Sequence, residues 1–325
     1  MLAKAGRPLK IVLAGAGSFG REHLTRLLAR SDVAIVGVAD SSASARDHLK
    51  MNYPSLRVTS DVPLLLKDEK PDGIIVATSA QSHFEIARSA LMRGTPVLLE
   101  KPVTPTASEA EQLAVLAQEH KAFILPGHIL RFSSDHRAMA EVVASGTIGK
   151  PLYLNSRRYR DADHAVRYMD DPVLTTLIHD IDLAIWLTGQ EFATARCIRT
   201  GGPGFRSMTT VDLETTEGVP CHLRTTWTFD SGILPPDLVE VVCENGSIEL
   251  EVGAVRRTYA KGECEANALI VDDDPLVNEH QYFLNHIRRG TKPRAITMAE
   301  AIQGLRASDA ILSALKTKSD VKFPI

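Results

Sequence analysis

The stretch from Leu9 to Arg30, LKIVLAGAGSFGREHLTRLLAR, constrains the fold more than any other part of the chain. Ile11, Val12 and Leu13 form a short apolar run with the length and β-branched content of a buried strand. Gly15, Gly17 and Gly20 follow at G-x-G-x-x-G spacing, and Leu24, Leu27 and Leu28 then recur at helical intervals. Strand, glycine turn and helix in this order suit a dinucleotide site. The first glycine permits the tight turn, the second lets backbone approach a pyrophosphate, and the third lets the helix pack on the strand. The unpaired N–H groups at the helix start, around Ser18 and Phe19, then face the phosphates. A plain glycine turn has the same local pattern, so context decides. A second apolar run, Val33 to Val38, ends near Asp40, twenty residues past Gly20, where an acidic side chain meets the adenosine ribose. A carboxylate there accepts hydrogen bonds from ribose hydroxyls and repels a 2′-phosphate. NAD is therefore the expected cofactor, with NADP left open by Ser41 and Ser42.

Strand and helix patterns alternate through the first third of the chain. A short helix is expected over 44–51 and a strand at Val58. Asp61 is placed to cap a segment over 63–67. A buried strand covers 73–77, a helix covers 82–93 with Gly94 as its stop, and Val97 to Leu99 form the next strand. Thr106 with Glu109 and Ser108 with Glu111 are overlapping capping boxes for a helix over 109–120, followed by a strand over 123–125. Such alternation implies parallel βαβ units and a doubly wound sheet. Beyond residue 127 the period changes. A helix is expected over 135–144. In 219–229, Val219, Cys221, Leu223, Thr225, Trp227 and Phe229 share one face, and His222, Arg224, Thr226 and Thr228 share the other, which fits an antiparallel sheet. Asn245-Gly246 signals a hairpin. Helices are expected over 277–289 and 298–315. The fold class is therefore α/β: a Rossmann domain over 1–126, then an α+β domain over 127–325 with a mainly antiparallel, open-faced sheet for substrate binding and oligomerisation.

The chain has 325 residues, 44% hydrophobic and 24% charged, ordinary values for a globular protein with two domains. A formal net charge of −3 gives no pull toward nucleic acid or an anionic membrane. Cys197, Cys221, Cys243 and Cys264 have no C-x-x-C spacing and read as unpaired thiols of a reducing compartment. No apolar run has the length of a membrane span, and a signal-peptide reading would consume the first strand. The expected location is the cytoplasm.

Taken together, GAGSFG at 15–20, Asp40, the Ala77-Thr78-Ser79 strand end with His83, Glu100-Lys101-Pro102 and Ile178-His179-Asp180-Ile181-Asp182 resemble the Gfo/Idh/MocA family of glucose–fructose oxidoreductase-like and inositol dehydrogenase-like enzymes. GHILRF at 127–132, SGTIGKP at 145–151 and the tail from Tyr282 add to the resemblance, which spans nearly the whole chain. It implies binding of NAD or NADP and oxidation or reduction of a sugar, cyclitol or related polyol carbon.

Within that resemblance Lys101 is the first catalytic candidate. It stands just beyond a strand end at the carboxyl edge of a parallel sheet, where ligands bind. An ammonium there can hydrogen-bond a substrate hydroxyl and stabilise alkoxide character. The plain alternative is a solvated lysine. Glu100 is expected to contact the nicotinamide or its ribose, and Thr78, Ser79, His83 and His128 to complete the cofactor pocket. The two histidines are equally readable as structural. His179 and Asp182 share a helix face over 174–187, and an imidazole suits proton exchange with a hydroxyl. A metal held by His179, Asp180 and Asp182 would need further ligands that the sequence does not announce, so no metal is expected. The family often carries a carboxylate four residues before this histidine, where this chain has Thr175. Asp170 or Asp171 is the candidate replacement. Arg131 joins the substrate candidates. So does the segment with Arg157, Arg158, Tyr159, Arg160, His164, Arg167 and Tyr168, whose arginines suit an anionic group. Interleaved aspartates make a solvated charged loop the alternative reading.

The leading function is an NAD-dependent dehydrogenase of a sugar, cyclitol or sugar derivative. An NAD-dependent glycosidase and a non-catalytic dinucleotide-binding regulator are the alternatives. The expected partners are a small sugar or polyol and further copies of the chain, as a homodimer or homotetramer.

Overall fold

The computed structural model describes residues 7–167, 171–201, 206–230, 232–268 and 273–323. They fall into two compact units, one comprising residues up to 129 together with 276–302, the other 130–275 and 303 onward.

The first unit begins with β1 (Leu9–Ala14), α1 (Ser18–Leu28), β2 (Val33–Ala39), α2 (Ala43–Asn52), β3 (Val58–Thr59), α3 (Val62–Glu69), β4 (Gly73–Val76), α4 (Ala80–Leu91), β5 (Val97–Glu100), α5 (Ala107–Glu119) and β6 (Ile124–Gly127). Its six strands lie in the order β3-β2-β1-β4-β5-β6, and all pairs are parallel. The strand order reverses on the two sides of β1, which makes the carboxyl end of β1 the switch point where such sheets bind ligands. Ile11, Val12, Leu13, Ile74, Ile75, Val76, Val97, Leu98 and Leu99 are fully buried. Unbroken apolar runs of this kind are what helices on both faces of a sheet require.

Local signals set several helix starts. Asp61 accepts from the Leu64 N–H at 2.8 Å, with Pro63 in the first turn of α3. Of the two overlapping capping boxes the first is used: Thr106 Oγ1 accepts from the Glu109 N–H at 3.3 Å, while Ser108 lies inside α5.

The second unit continues with α6 (Ser134–Ala144), β7 (Pro151–Asp161), α7 (Ala162–Arg167), a π-helical turn (Val173–Leu177), α8 (Ile178–Thr188), β8 (Phe192–Gly201), β9 (Ser207–Thr215), β10 (Pro220–Phe229), β11 (Leu238–Cys243), β12 (Gly246–Glu251), β13 (Val255–Ala260) and β14 (Glu263–Ala268). α9 (Pro275–Arg289), α10 (Met298–Thr317) and β15 (Val321–Lys322) complete the chain. The sheet has nine strands in the order β14-β13-β12-β11-β7-β10-β9-β8-β15. Its one parallel pair is β7 with β10; the other pairs are antiparallel. One face is covered. Leu154, Leu223, Val239, Val241 and Ile248 pack with Met139 and Val143 of α6, Ile181 and Ile185 of α8, and Ile311 of α10. The opposite face carries Asn155, Arg224 and Glu240, joined by side-chain hydrogen bonds, and His222 paired with Asp212.

Three expectations need correction. The domains do not part at a single point near 126. The segment 276–302 belongs with the Rossmann sheet, where Phe283 of α9 is fully buried, edge-on to Phe123 at 5.7 Å. A Cβ on Gly73 would stand 2.7 Å from Ile287 and 3.1 Å from Phe283, so the start of β4 is shaped to receive that helix. The 245–246 hairpin is present, but its turn residues are Glu244 and Asn245, with Gly246 already paired to Cys243. Gly246 is needed because a Cβ there would meet the Tyr259 carbonyl at 2.2 Å. The helix expected over 174–187 opens instead with the π turn over Val173–Leu177, a local widening that frequently marks functional sites.

Candidate active-site residues

In the first unit the glycine turn is built as its spacing implies. Gly15 has φ of +99°, and a Cβ on it would stand 2.3 Å from the Ala77 carbonyl oxygen. A Cβ on Gly20 would meet the Gly15 carbonyl oxygen at 2.2 Å. Both positions are closed to any larger residue. Gly17 differs, because a Cβ there meets nothing within 4 Å. Nothing inside the protein demands that glycine, whereas a backbone that a ligand must approach does. α1 starts at Gly17 with no side-chain cap and no acidic residue in its first turn, so its N–H groups remain available to an anion. These features fit a dinucleotide pyrophosphate.

Asp40 stands at the end of β2. Its Oδ2 accepts from the Ala16 N–H at 2.6 Å and its Oδ1 from the Ser42 N–H at 2.8 Å. The carboxylate thus clamps the glycine turn and keeps lone pairs for ribose hydroxyls. Ser18 and Ser79 are exposed, and Thr78 and Phe19 are half-buried.

His83, expected in the cofactor pocket, is a brace. It is 1% exposed, with Nδ1 3.0 Å from the Pro102 carbonyl oxygen and Nε2 3.1 Å from that of Thr78. Burial lowers its pKa, only partly offset by these carbonyls, so the ring is neutral and donates to one of them at a time. His83 thereby ties the loop after β4 to the segment that carries Lys101.

Glu100, expected at the nicotinamide, is turned inward. It is 6% exposed, with Oε1 3.0 Å from His23 Nε2 and Oε2 accepting from the Lys101 N–H at 3.3 Å. A Cβ on Gly127 would crowd the Glu100 Cα at 2.9 Å, so β6 is trimmed to let this carboxylate in. Lys101 follows directly, half-buried, and His128 is 3% exposed just beyond β6.

In the second unit the charged residues singled out from the sequence are mostly paired with one another. Arg131 donates to both oxygens of Asp182, at 3.0 Å from Nε and 2.8 Å from Nη2, and each partner is 2% exposed. The Arg131 guanidinium also lies 5.2 Å from the Trp186 ring centre. Arg131 is thus a buried ion-pair partner, with Asp182 as its counter-ion. Arg158, 4% exposed, binds Asp180 at 3.0 Å and Asp237 at 2.6 Å, and Asp180 takes a further hydrogen bond from Ser156. Burial alone would raise the Asp237 pKa; Arg158 and Arg160 outweigh it and hold the acid below the usual carboxylate range. The arginine segment is therefore neither a solvated loop nor an open anion site at Arg158. With Asp180 and Asp182 both bound to arginine, a metal site based on His179 is also lost.

His179 sits half-buried in the first turn of α8, just before these two engaged aspartates in the chain. Thr175 occupies the π turn and donates from Oγ1 to the Asp171 carbonyl at 3.1 Å. Asp171 cannot serve as the replacement carboxylate. Arg199 binds both its oxygens at 2.7 and 2.8 Å, and one oxygen also accepts from the Val173 N–H. Thr176 accepts from Trp227 Nε1 at 2.9 Å and so anchors the turn to β10. Tyr159 stacks on Phe229 at 5.6 Å, and His164 packs edge-on to Trp227 at 4.9 Å. Tyr168, Asp170 and the side chain of Arg167 lie outside the described residues.

The sequence reading missed His23, Glu279 and His280, which are fully buried beside Glu100 in the first unit. The available signal was slight: His23 stands one helical turn after Phe19 on the glycine-turn helix.

Residues 9–128 match the family profile described as "Oxidoreductase family, NAD-binding Rossmann fold", and residues 136–249 match the "GFO/IDH/MocA C-terminal domain". The chain is 33% identical over 265 residues to inositol 2-dehydrogenase 2 of Saccharopolyspora erythraea, covering 78% of this chain and 76% of that protein. It is 28% identical over 324 residues to inositol 2-dehydrogenase of Ralstonia nicotianae, covering 95% and 94%. The structure of scyllo-inositol dehydrogenase from Lactobacillus casei with bound NAD(H) and scyllo-inositol superposes with a TM-score of 0.84 at 18% identity, covering 97% of this chain and 99% of that one. At that identity the likeness is one of fold.

Proposed function

The chain belongs to the GFO/IDH/MocA oxidoreductase family, and from that premise we propose that it is an NAD-dependent dehydrogenase of a cyclitol or closely related sugar. The observation that carries the reading is the end of β5. In a sheet whose switch point holds an open, uncapped glycine turn, the strand runs directly into Glu100 and Lys101 at the carboxyl edge. The cyclitol preference rests on the inositol 2-dehydrogenases that the chain resembles over most of their length.

The overall reaction converts a carbinol, R2CH–OH, and NAD+ to a ketone, NADH and a proton. When bound, the nicotinamide supplies the hydride acceptor or, in reverse, the donor. Gly15, Gly17, Ser18 and Phe19 hold the pyrophosphate, and the Asp40 carboxylate holds the adenosine ribose and disfavours a 2′-phosphate. The Lys101 ammonium hydrogen-bonds the carbinol oxygen and stabilises the charge that develops there as the C–H bond breaks. His179 accepts the hydroxyl proton. Thr175 supplies no charge, so His179 works without a neighbouring carboxylate at that position. Tyr159, His164 and His128 are offered as contacts of substrate or nicotinamide. Arg131 and Arg158 act at one remove, by holding the two aspartates of α8.

We also assign the enzyme to the cytoplasm as a homodimer or homotetramer. Among the described residues no helix is long and apolar enough to cross a membrane. All four cysteines are unpaired. Burial pushes the Cys197 and Cys221 thiols up to about 12, which leaves them unreactive. The polar open face of the nine-stranded sheet is the surface offered for self-association, and light scattering of the purified chain tests it.

The functional test is absorbance of the reduced cofactor across a panel of inositols, sugars and aryl glycosides. Net NADH from an inositol or sugar is expected, with Lys101→Met lowering kcat by about a thousandfold while leaving NADH binding intact. Glycoside hydrolysis without net NADH, or no turnover on the whole panel, refutes it.

A further inference from the structure

The first unit contains a buried array of two carboxyls and two imidazoles, of which the dehydrogenase reading uses only the place of Glu100 before Lys101. His23, five residues into α1, is 0% exposed. Its Nε2 is 3.0 Å from Glu100 Oε1, and its Nδ1 is 2.8 Å from His280 Nε2. Phe19, from the glycine turn, meets the His23 ring edge-on at 5.0 Å. Glu279, beside His280 on α9, is 0% exposed, and neither of its side-chain oxygens has a hydrogen-bond partner.

The proton inventory fixes the direction of these contacts. A neutral imidazole has one N–H. If His280 carries its proton on Nε2, it donates to His23 Nδ1, and His23 then carries its own on Nε2 and donates to Glu100. The same assignment leaves His280 Nδ1 bare, and that atom indeed has no partner. Burial first, with the positive charge of nearby Arg30 and Arg26, holds the His280 pKa well below its ordinary value, which keeps that ring neutral. Burial first and the Glu100 carboxylate second push Glu279 well above the ordinary range, so it stays protonated. Glu100 is the hydrogen-bond acceptor of the array. It accepts from His23 on one oxygen and from the Lys101 main-chain N–H on the other.

We propose that His23 is a positioning residue for hydride transfer: it donates to Glu100, Glu100 holds the Lys101 main chain, and ring contact with Phe19 ties this linkage to the dinucleotide turn. The inference rests on the reading of Lys101 as the residue that meets the carbinol oxygen, and it adds a reason for Glu100 to precede that lysine. A glutamate free to rotate at the end of β5 would leave the Lys101 backbone without this restraint. Small displacements of a reacting group carry large rate penalties. His280 fixes the His23 tautomer in the way an outer hydrogen-bond partner fixes a ligand histidine.

The two polar replacements of His23 separate its two hydrogen bonds. Asparagine places its amide near Nδ1, within reach of His280 and short of Glu100. Glutamine reaches the Nε2 position and restores the bond to Glu100. With an inositol substrate and NAD, His23→Asn is expected to lower kcat by at least about tenfold, with substrate KM and NADH affinity changed less than about threefold. His23→Gln is expected to recover most of kcat. Equal loss in both variants means the ring merely fills space, and wild-type kcat in His23→Asn means the linkage does not matter; either overturns the proposal. Should neither variant fold by circular dichroism, Glu100→Gln replaces them, with the same kcat loss at constant KM expected and unchanged kcat overturning it. Lys101→Met is measured alongside. Full turnover in that variant defeats the reading of Lys101 itself, an outcome distinct from activity in His23→Asn.

Discussion

The two units use charge in opposite ways. At the dinucleotide turn of the Rossmann unit the functional geometry is made largely by backbone: a glycine at φ of +99°, an uncapped helix start, and the Ala16 and Ser42 N–H groups gripping Asp40. In the second unit it is made by side chains that neutralise each other in the interior, Arg131 with Asp182 and Arg158 with Asp180 and Asp237. The spacing that announces this backbone geometry lies within one short stretch of chain. Ion pairs depend on partners brought together by the whole fold. In the second unit, therefore, a charged residue in a suggestive motif is weak evidence for a ligand contact until its partner is known.

That contrast can be broken by substitution. The largest effect is expected for Gly15→Ala. The new Cβ would stand 2.3 Å from the Ala77 carbonyl oxygen, on a backbone at positive φ. Strain and overlap together cost about 4–6 kcal/mol, seen as a lower denaturant midpoint and loss of NADH binding. If Gly15→Ala folds and binds normally, the turn is not held by its backbone.

Next comes Arg131→Met, which strands the buried Asp182 carboxylate. A loss of about 3–5 kcal/mol is expected, and Arg131→Met with Asp182→Leu should recover much of it. Denaturation of the single and double variants decides. If each single variant costs little, the pair is not the support it is taken to be.

A pH experiment probes one buried histidine of the second unit. His136, 3% exposed in α6, has its pKa lowered to about 3, first by burial and then by Arg158. Below about 6.5 the unfolded chain takes up a proton that the folded chain refuses until about pH 3. Stability is therefore lost as pH falls through that window, by roughly 2 kcal/mol at pH 5 from this residue. In His136→Asn, whose amide can keep the contact to Ser133, the acid-side slope should be shallower by about one proton. An unchanged slope contradicts the assignment.

The smallest effect is expected at Asp40. Asp40→Asn keeps the size but removes the charge, and should lower kcat/KM for NAD by about tenfold while raising that for NADP. Parallel loss with both cofactors would show a purely structural role.

The same contrast explains what the sequence made legible. Asp61 and Thr106 act on atoms within a few residues, and the glycine spacing of the 15–20 turn is itself a local pattern, although the Ala77 carbonyl that closes on Gly15 comes from the end of another strand. The alternating faces of β10 were readable because period two is local. The packing of α9 on the Rossmann sheet was not, since an amphipathic helix does not state which sheet it covers. Arg131 and Asp182 are 51 positions apart, and Glu100 and His23 are 77 apart. No spacing rule reaches across such separations: Arg131, Asp182 and Glu100 each looked like a site residue until its partner was seen, and His23 was passed over. The π turn escaped for a related reason: it is held by Trp227 and Arg199, which come from other strands.

The most direct test of the account is a single-turnover reaction with an inositol deuterated at the carbinol carbons, followed by mass analysis of the cofactor. The wild-type chain should form reduced nicotinamide that carries the deuterium, and Lys101→Met, which still binds NADH, should not. Product formed without label in the cofactor, or labelled cofactor formed equally well without Lys101, would contradict it.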